Sequence, residues 1–166
     1  MRPCLKLIVY NTFLACFTTE YKMKPHQFKI EKVLPCSQQQ AFAFFSEHTN
    51  FGQFWPGKFS RVKASSSNNI NGLGSVRQID TGAIKFEETI IGFEENKLIE
   101  YTISKNSPFD NYRGRMEFFI LNERECFLRH SMQFNPKVPG LYLVELAGME
   151  LIIKRGIKKA AKLLAA

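Results

Sequence analysis

Residues 112–134 read YRGRMEFFILNERECFLRHSMQF, and the alternation in this stretch decides the fold. Tyr112, Met116, Phe118 and Ile120 share one register, while Arg113, Arg115 and Glu117 share the other. After the turn-forming Asn122-Glu123-Arg124, Cys126, Leu128, Met132 and Phe134 continue the apolar register against Arg129, Ser131 and Gln133. Successive side chains of a strand point to opposite faces, so two such runs around a polar break predict an antiparallel hairpin with one buried face. Working upstream, period-two runs recur near 60–66, 73–80, 83–93 and 97–104, separated by Asn68-Asn69-Ile70-Asn71-Gly72, Thr81-Gly82, Glu94-Glu95-Asn96 and Ser107-Pro108-Phe109-Asp110. With 112–122 and 125–134 they make an antiparallel meander of six strands.

Downstream, Pro136 and Pro139-Gly140 close the sheet and the period changes. Tyr142, Leu146, Met149, Ile153, Ile157, Ala160 and Leu164 recur at spacings of three and four, which predicts an amphipathic helix. About 25 residues at 1.5 Å each give a rod of roughly 37 Å, long enough to cross the sheet. Gly148 and Gly156 are poor helix formers and point to close backbone approach or to space left for something else.

Before the meander, HQFKIEKVL (His26–Leu34) reads as a strand closed by Pro35. Ser37-Gln38-Gln39-Gln40 fits a capping box, and Ala41, Phe42, Phe45 and His48 follow on one helical face. Asn50 is positioned to cap a second short helix through Phe51, Phe54 and Trp55, ended by Pro56-Gly57. Residues 1–22 stand apart from this pattern. Their apolar run from Leu7 to Phe17, behind two cations, is too short to span a bilayer. It reads either as a weak signal-like segment or as sequence upstream of a functional start at Met23, and the domain is taken as 23–166.

Composition narrows the function classes. With 45% hydrophobic residues and sixteen Phe in 166 residues, the chain can build a core as one domain. The net charge of +8 is local: Lys154, Arg155, Lys158, Lys159 and Lys162 crowd the polar face of the last helix. No aromatic residues interleave with them, which argues against nucleic acid, and a solvated face competes with contact to a membrane surface. Cys4, Cys16, Cys36 and Cys126 show no zinc spacing, so no metal site is expected, and a Cys36–Cys126 disulfide stays open. Reduced cysteines and no spanning segment place the expected compartment in the cytoplasm, with export or membrane anchoring as the alternative if residues 1–22 act as a signal.

The order of one strand, two short helices, a meander and a long terminal helix resembles the START-like (SRPBCC, helix-grip) superfamily over residues 24–166. Ile30-Glu31-Lys32-Val33-Leu34-Pro35-Cys36-Ser37, Asn50-Phe51-Gly52-Gln53-Phe54-Trp55-Pro56-Gly57, Asp110-Asn111-Tyr112-Arg113-Gly114 and Asn135-Pro136-Lys137-Val138-Pro139-Gly140 carry the likeness. It is strongest to the bacterial polyketide cyclase/dehydrase-like branch. The resemblance implies an α+β fold in which a curved antiparallel sheet wraps the C-terminal helix. It also implies a cavity between them for a small apolar ligand, with no cofactor.

Strand phase then selects the residues expected to line that cavity. Ile84, Phe86 and Ile90 lie inward on one strand, Tyr101 on the next, then Tyr112, Met116 and Phe118, and finally Met132. Val62 and Ala64 fall on the same register earlier in the chain. Leu146, Met149 and Ile153 face them from the helix, and Trp55 is either a core plug or part of a lid. Glu88 and His130 are ionisable residues on the inward register, whereas neither register around Arg77 is clearly apolar. With the Tyr101 hydroxyl, Glu88 and His130 form a polar trio that orients a ligand oxygen, unless a bulge or strand end leaves them structural or solvated. Two functions follow: a carrier or sensor of a lipid-like or aromatic molecule, or a cyclase or dehydratase using Glu88 or His130 as general acid or base. Because residues 1–22 supply no strand of the meander and no part of the long helix, a chain begun at Met23 is expected to melt within a few degrees of the full chain. A large drop in melting temperature would place the segment on the core.

Overall fold

The computed structural model describes residues 25–137 and 142–165, leaving aside the side chains of 136 and 142–146. The elements are β1 (His26–Leu34), α1 (Gln38–Ser46), a 3₁₀ turn (His48–Asn50), α2 (Phe51–Phe54), β2 (Lys58–Lys63), β3 (Val76–Asp80), β4 (Lys85–Glu94), β5 (Leu98–Lys105), β6 (Phe109–Asn122), β7 (Glu125–Pro136) and α3 (Tyr142–Leu163). The seven strands form one antiparallel sheet in the order β1-β7-β6-β5-β4-β3-β2. This is the helix-grip arrangement: the meander runs strand to neighbouring strand, and β1 returns to the free edge of β7. None of the described helices is long and apolar enough to cross a membrane.

The expected phase holds through most of the sheet because its inner face is buried. Met116, Phe118, Leu128, Met132 and Phe134 are all closed off from solvent beneath the helices. The capping box forms as read: the Ser37 hydroxyl accepts from the Gln40 amide at 3.2 Å, and the Gln40 side-chain oxygen accepts from the Ser37 backbone at 3.0 Å. α1 then places Phe42 and Phe45 against Phe118, with ring centres 5.5 and 5.9 Å apart, and Gln38 Nε2 donates to the Phe118 carbonyl at 2.8 Å. One end of the space under the sheet is filled this way. α3 packs against β1 and α2, burying Ile153, Ile157 and Ala160. Gly156 lets it come close: a methyl group there would sit 3.2 Å from both the Phe54 carbonyl oxygen and the Trp55 ring.

Four local readings need correction. Val62 and Ala64 are exposed: Phe59 and Arg61 take the inward register opposite Ile79 and Arg77, so Val62 points outward, and Ala64 lies beyond the end of β2. Ile120 is on the inward register but is 69% exposed, near the outer end of the β6–β7 hairpin. β6 begins at Phe109 rather than Tyr112. A register shift between Asp110 and Arg113, with Asn111 at φ 51°, keeps both Phe109 and Tyr112 facing inward. Asn50 does not cap α2 through its side chain, which instead donates to the Phe44 carbonyl at 3.1 Å. Cys36 and Cys126 are both buried with free thiols, and burial pushes the Cys126 thiol up to about 11, helped by the nearby Cys36.

Gly114 shows how tightly one part of the inner face is fitted. A methyl group at this position would fall 2.2 Å from the Tyr101 ring. Since that ring is 3% exposed and held by its hydroxyl, it cannot swing aside freely. Gly114→Ala is therefore expected to cost about 1–3 kcal/mol or more in a urea titration; a change within a few tenths would show that Tyr101 is loosely held.

Candidate functional site

Between the inner face of the sheet and α3 lies a cavity of about 620 Å³. Its walls come from β3, β4 and β5 on one side, β6 and β7 on another, with α2 and the middle of α3 closing over them. It exists because α1 fills only the end of the sheet where Phe42, Phe93 and Phe118 meet. Of the residues expected to line it, the structure places Trp55, Ile84, Phe86, Glu88, Tyr101, Tyr112, Met116, His130, Met132 and Met149 on its wall. Ile90, Phe118 and Ile153 lie instead in the packed core, at 2%, 2% and 0% exposure. The Leu146 side chain lies outside the described residues. Trp55 is half-buried, touching both the core and the cavity. At Gly148, which also lines the cavity, a methyl group would meet no described atom within 4 Å.

The polar part of the wall is two pairs rather than one trio. Glu88 is bound to Arg77, which lies directly opposite it across the β3–β4 ladder. Arg77 Nε and an Arg77 terminal nitrogen reach Glu88 Oε2 at 2.7 and 2.6 Å, and both residues are almost fully buried. The guanidinium carbon sits 4.0 Å from the centre of the Phe51 ring and 5.0 Å from that of Tyr101, where the ring faces offer negative potential. The second pair joins the Tyr101 hydroxyl to His130 Nε2 at 2.7 Å, also buried. His130 Nδ1 has no hydrogen-bond partner among the described residues.

Burial fixes the protonation of these groups. His130 is pushed down to about 3 by desolvation and by the Arg77 charge, so its imidazole is neutral at physiological pH. Burial also raises the hydroxyls of Tyr101 and Tyr112 well above their ordinary range. Outside the cavity wall His48, 1% exposed, is likewise pushed to about 3, by burial and by Arg77 and Arg61.

Arg77, Phe51, Phe59, Ile79 and Phe109 are wall residues that sequence reasoning did not select. Arg77 shares its register with Ile79, which is 2% exposed, but the short Val76–Asp80 run shows too little alternation to reveal this in the sequence. Phe109 was hidden because a Ser-Pro sequence before it reads as a turn.

A family model described as polyketide cyclase/dehydrase and lipid transport matches residues 25–166. A comparison with curated proteins finds no match. Among solved structures, a START superfamily protein from Mycobacterium smegmatis superposes with a TM-score of 0.69 at 16% identity, covering 84% of this chain and 99% of the other. The ZhuI aromatase/cyclase from Streptomyces sp. R1128 gives 0.65 at 11% identity, over 86% and 92%. A norcoclaurine synthase point mutant from Thalictrum flavum gives 0.61 at 12% identity, over 86% and 98%. At these identities the likeness is one of fold.

The two buried histidines set a pH dependence whose sign is fixed. Unfolded, each imidazole takes up a proton near 6.5; folded, each stays neutral until about 3. The folded-state values are depressed, so stability is complete above about pH 6.5 and is lost as pH falls toward 3, at up to about 1.4 kcal/mol per pH unit for each histidine. His130→Asn is expected to reduce the slope of unfolding free energy between about pH 6 and 5 by roughly half. An unchanged slope in urea titrations would mean that His130 titrates normally.

Proposed function

We propose that this chain, which belongs to the polyketide cyclase/dehydrase and lipid transport family, binds a small, largely apolar molecule in the cavity between the sheet and α3. The carrying observation is the wall itself: about 620 Å³ bounded by aromatic and aliphatic side chains, with a few polar groups contributed by the strands. That is the composition of a ligand pocket, in which apolar area supplies affinity and sparse polar atoms supply orientation. The description of the matching family, polyketide cyclase/dehydrase and lipid transport, supports the same ligand class.

The protonation states favour a carrier or sensor over a cyclase or dehydratase. A general acid or base works best with a pKa near the working pH. His130, at about 3, binds a proton too weakly to serve as a strong base at neutrality, and Glu88 Oε2 is occupied by Arg77. Turnover that disappears in His130→Asn or Glu88→Gln while binding persists would reverse this preference. The five cations of α3 are exposed, and Lys154 is bridged to Glu150.

Native mass spectrometry of freshly purified protein, followed by solvent extraction, is expected to reveal a bound apolar molecule. Met149→Trp is expected to remove it while leaving the melting temperature nearly unchanged, since Met149 is half-buried on the cavity wall. A packed core would instead resist the added volume at about 1–3 kcal/mol. Strong destabilisation without any bound molecule in the parent protein would refute the cavity as a binding site.

A further inference from the structure

Among the described residues that wall the cavity, Arg77 and Glu88 are the two that bear formal charge. They face each other at 2.6 and 2.7 Å, with 3% and 4% of their surfaces exposed. The remaining polar wall groups include the hydroxyls of Tyr101, Tyr112 and Thr81 and the His130 imidazole, which are neutral. We propose that the cavity selects an uncharged molecule carrying a hydroxyl group on an apolar, ring-containing body, and rejects molecules whose polar end is ionised. This rests on the cavity being the ligand site.

The selection follows from charges already cancelled. An entering carboxylate would have to share Arg77 with Glu88, which puts two anions beside one cation in an apolar enclosure. An entering ammonium would compete with Arg77 for Glu88 and leave the guanidinium short of its partner. Either outcome buries an uncompensated charge, which is strongly unfavourable, whereas a neutral group leaves the pair intact. Such built-in exclusion is how a pocket discriminates between ligands of similar shape.

His130 gives a reason for a hydroxyl rather than a bare hydrocarbon. If the Tyr101 hydroxyl donates to Nε2, Nδ1 carries the ring proton and needs an acceptor; if Nε2–H donates to Tyr101, Nδ1 needs a donor. In both states one buried nitrogen has no partner among the described residues. That nitrogen is closed to solvent, so a ligand hydroxyl, which can serve as either, reaches it only when the His130 ring shifts on binding. The rings of Phe51, Trp55, Phe59, Phe109 and Tyr112 on the same wall favour a ring-containing body over a simple extended chain.

The test compares two probes of similar size, para-hexylphenol and para-hexylbenzoate, with the full chain at neutral pH, where the first is neutral and the second ionised. Trp55, the one tryptophan of the sequence, lies on the wall, so its emission reports occupancy. The wild type is expected to bind the phenol tighter by on the order of tenfold or more. Glu88→Gln, checked for folding by circular dichroism, removes the anion but leaves the guanidinium. It is expected to narrow or invert that ratio by on the order of tenfold in favour of the benzoate. Because the wild-type comparison needs no variant, the proposal is decided even if Glu88→Gln fails to fold. Equal or tighter binding of the benzoate by the wild type overturns the selectivity alone. Binding of neither probe up to its solubility limit overturns the ligand-site reading, and the selectivity with it.

Discussion

A guanidinium and a carboxylate lying together in the inner wall of the sheet tie its parts to one another. Either charge alone in that position would cost several kcal/mol, so Arg77 and Glu88 must meet. They meet only if β3 and β4 pair with these residues opposite, because a slip of one residue would send one side chain to the outer face. The same guanidinium lies against Phe51 and Tyr101, which locates α2 over β3 and β5 beyond β4. Tyr101 then reaches His130 on β7 through its hydroxyl, across a β6 position kept open by Gly114. A run of contacts thus crosses the sheet from β3 to β7 through polar atoms within an apolar layer.

The apolar layer does two different things along its length. At one end, Phe42 and Phe45 of α1 press into Phe93 and Phe118 and leave no room. At the other, wall residues such as Phe59, Phe86 and Phe109 remain half-buried, and α3 presents Gly148 rather than a bulky side chain. The packed end supplies stability, since Phe42, Phe45 and Phe118 are almost fully removed from water. The open end forgoes part of that stabilisation, because its side chains keep part of their surface uncovered.

Most of this architecture was legible because a strand with one buried face writes its phase into the chain. The Tyr112–Phe134 alternation, the spacing in α3 and the capping box at Ser37 each report a local rule that tertiary packing did not overturn. Where the rule was broken by an extra residue, the reading failed. The register shift at Asp110–Arg113 brought in Phe109, assigned to a turn, and in β2 the inward register belongs to Phe59, which leaves Val62 outside. Glu88 and His130 could be recognised as polar residues on an apolar register, but their partners could not be. Pairing Glu88 with Arg77 depends on the β3–β4 register, and a five-residue strand containing Val76, Arg77, Gln78, Ile79 and Asp80 has too few apolar positions to set its own phase.

What the polar groups can do follows from how little charge they hold between them. The Tyr101 and Tyr112 hydroxyls are held protonated and His130 is held neutral by the same burial, so at neutral pH these three groups meet the cavity as uncharged hydrogen-bonding groups. Changing that would require a nearby negative charge to draw a proton onto His130, and the one carboxylate on the described wall is bound to Arg77. The Arg77 charge itself acts on His130 in the opposite direction, keeping the ring neutral. The ion pair that fixes the register of the sheet therefore also sets the electrostatics of its inner wall: its two charges cancel each other there, and the guanidinium keeps the neighbouring imidazole neutral.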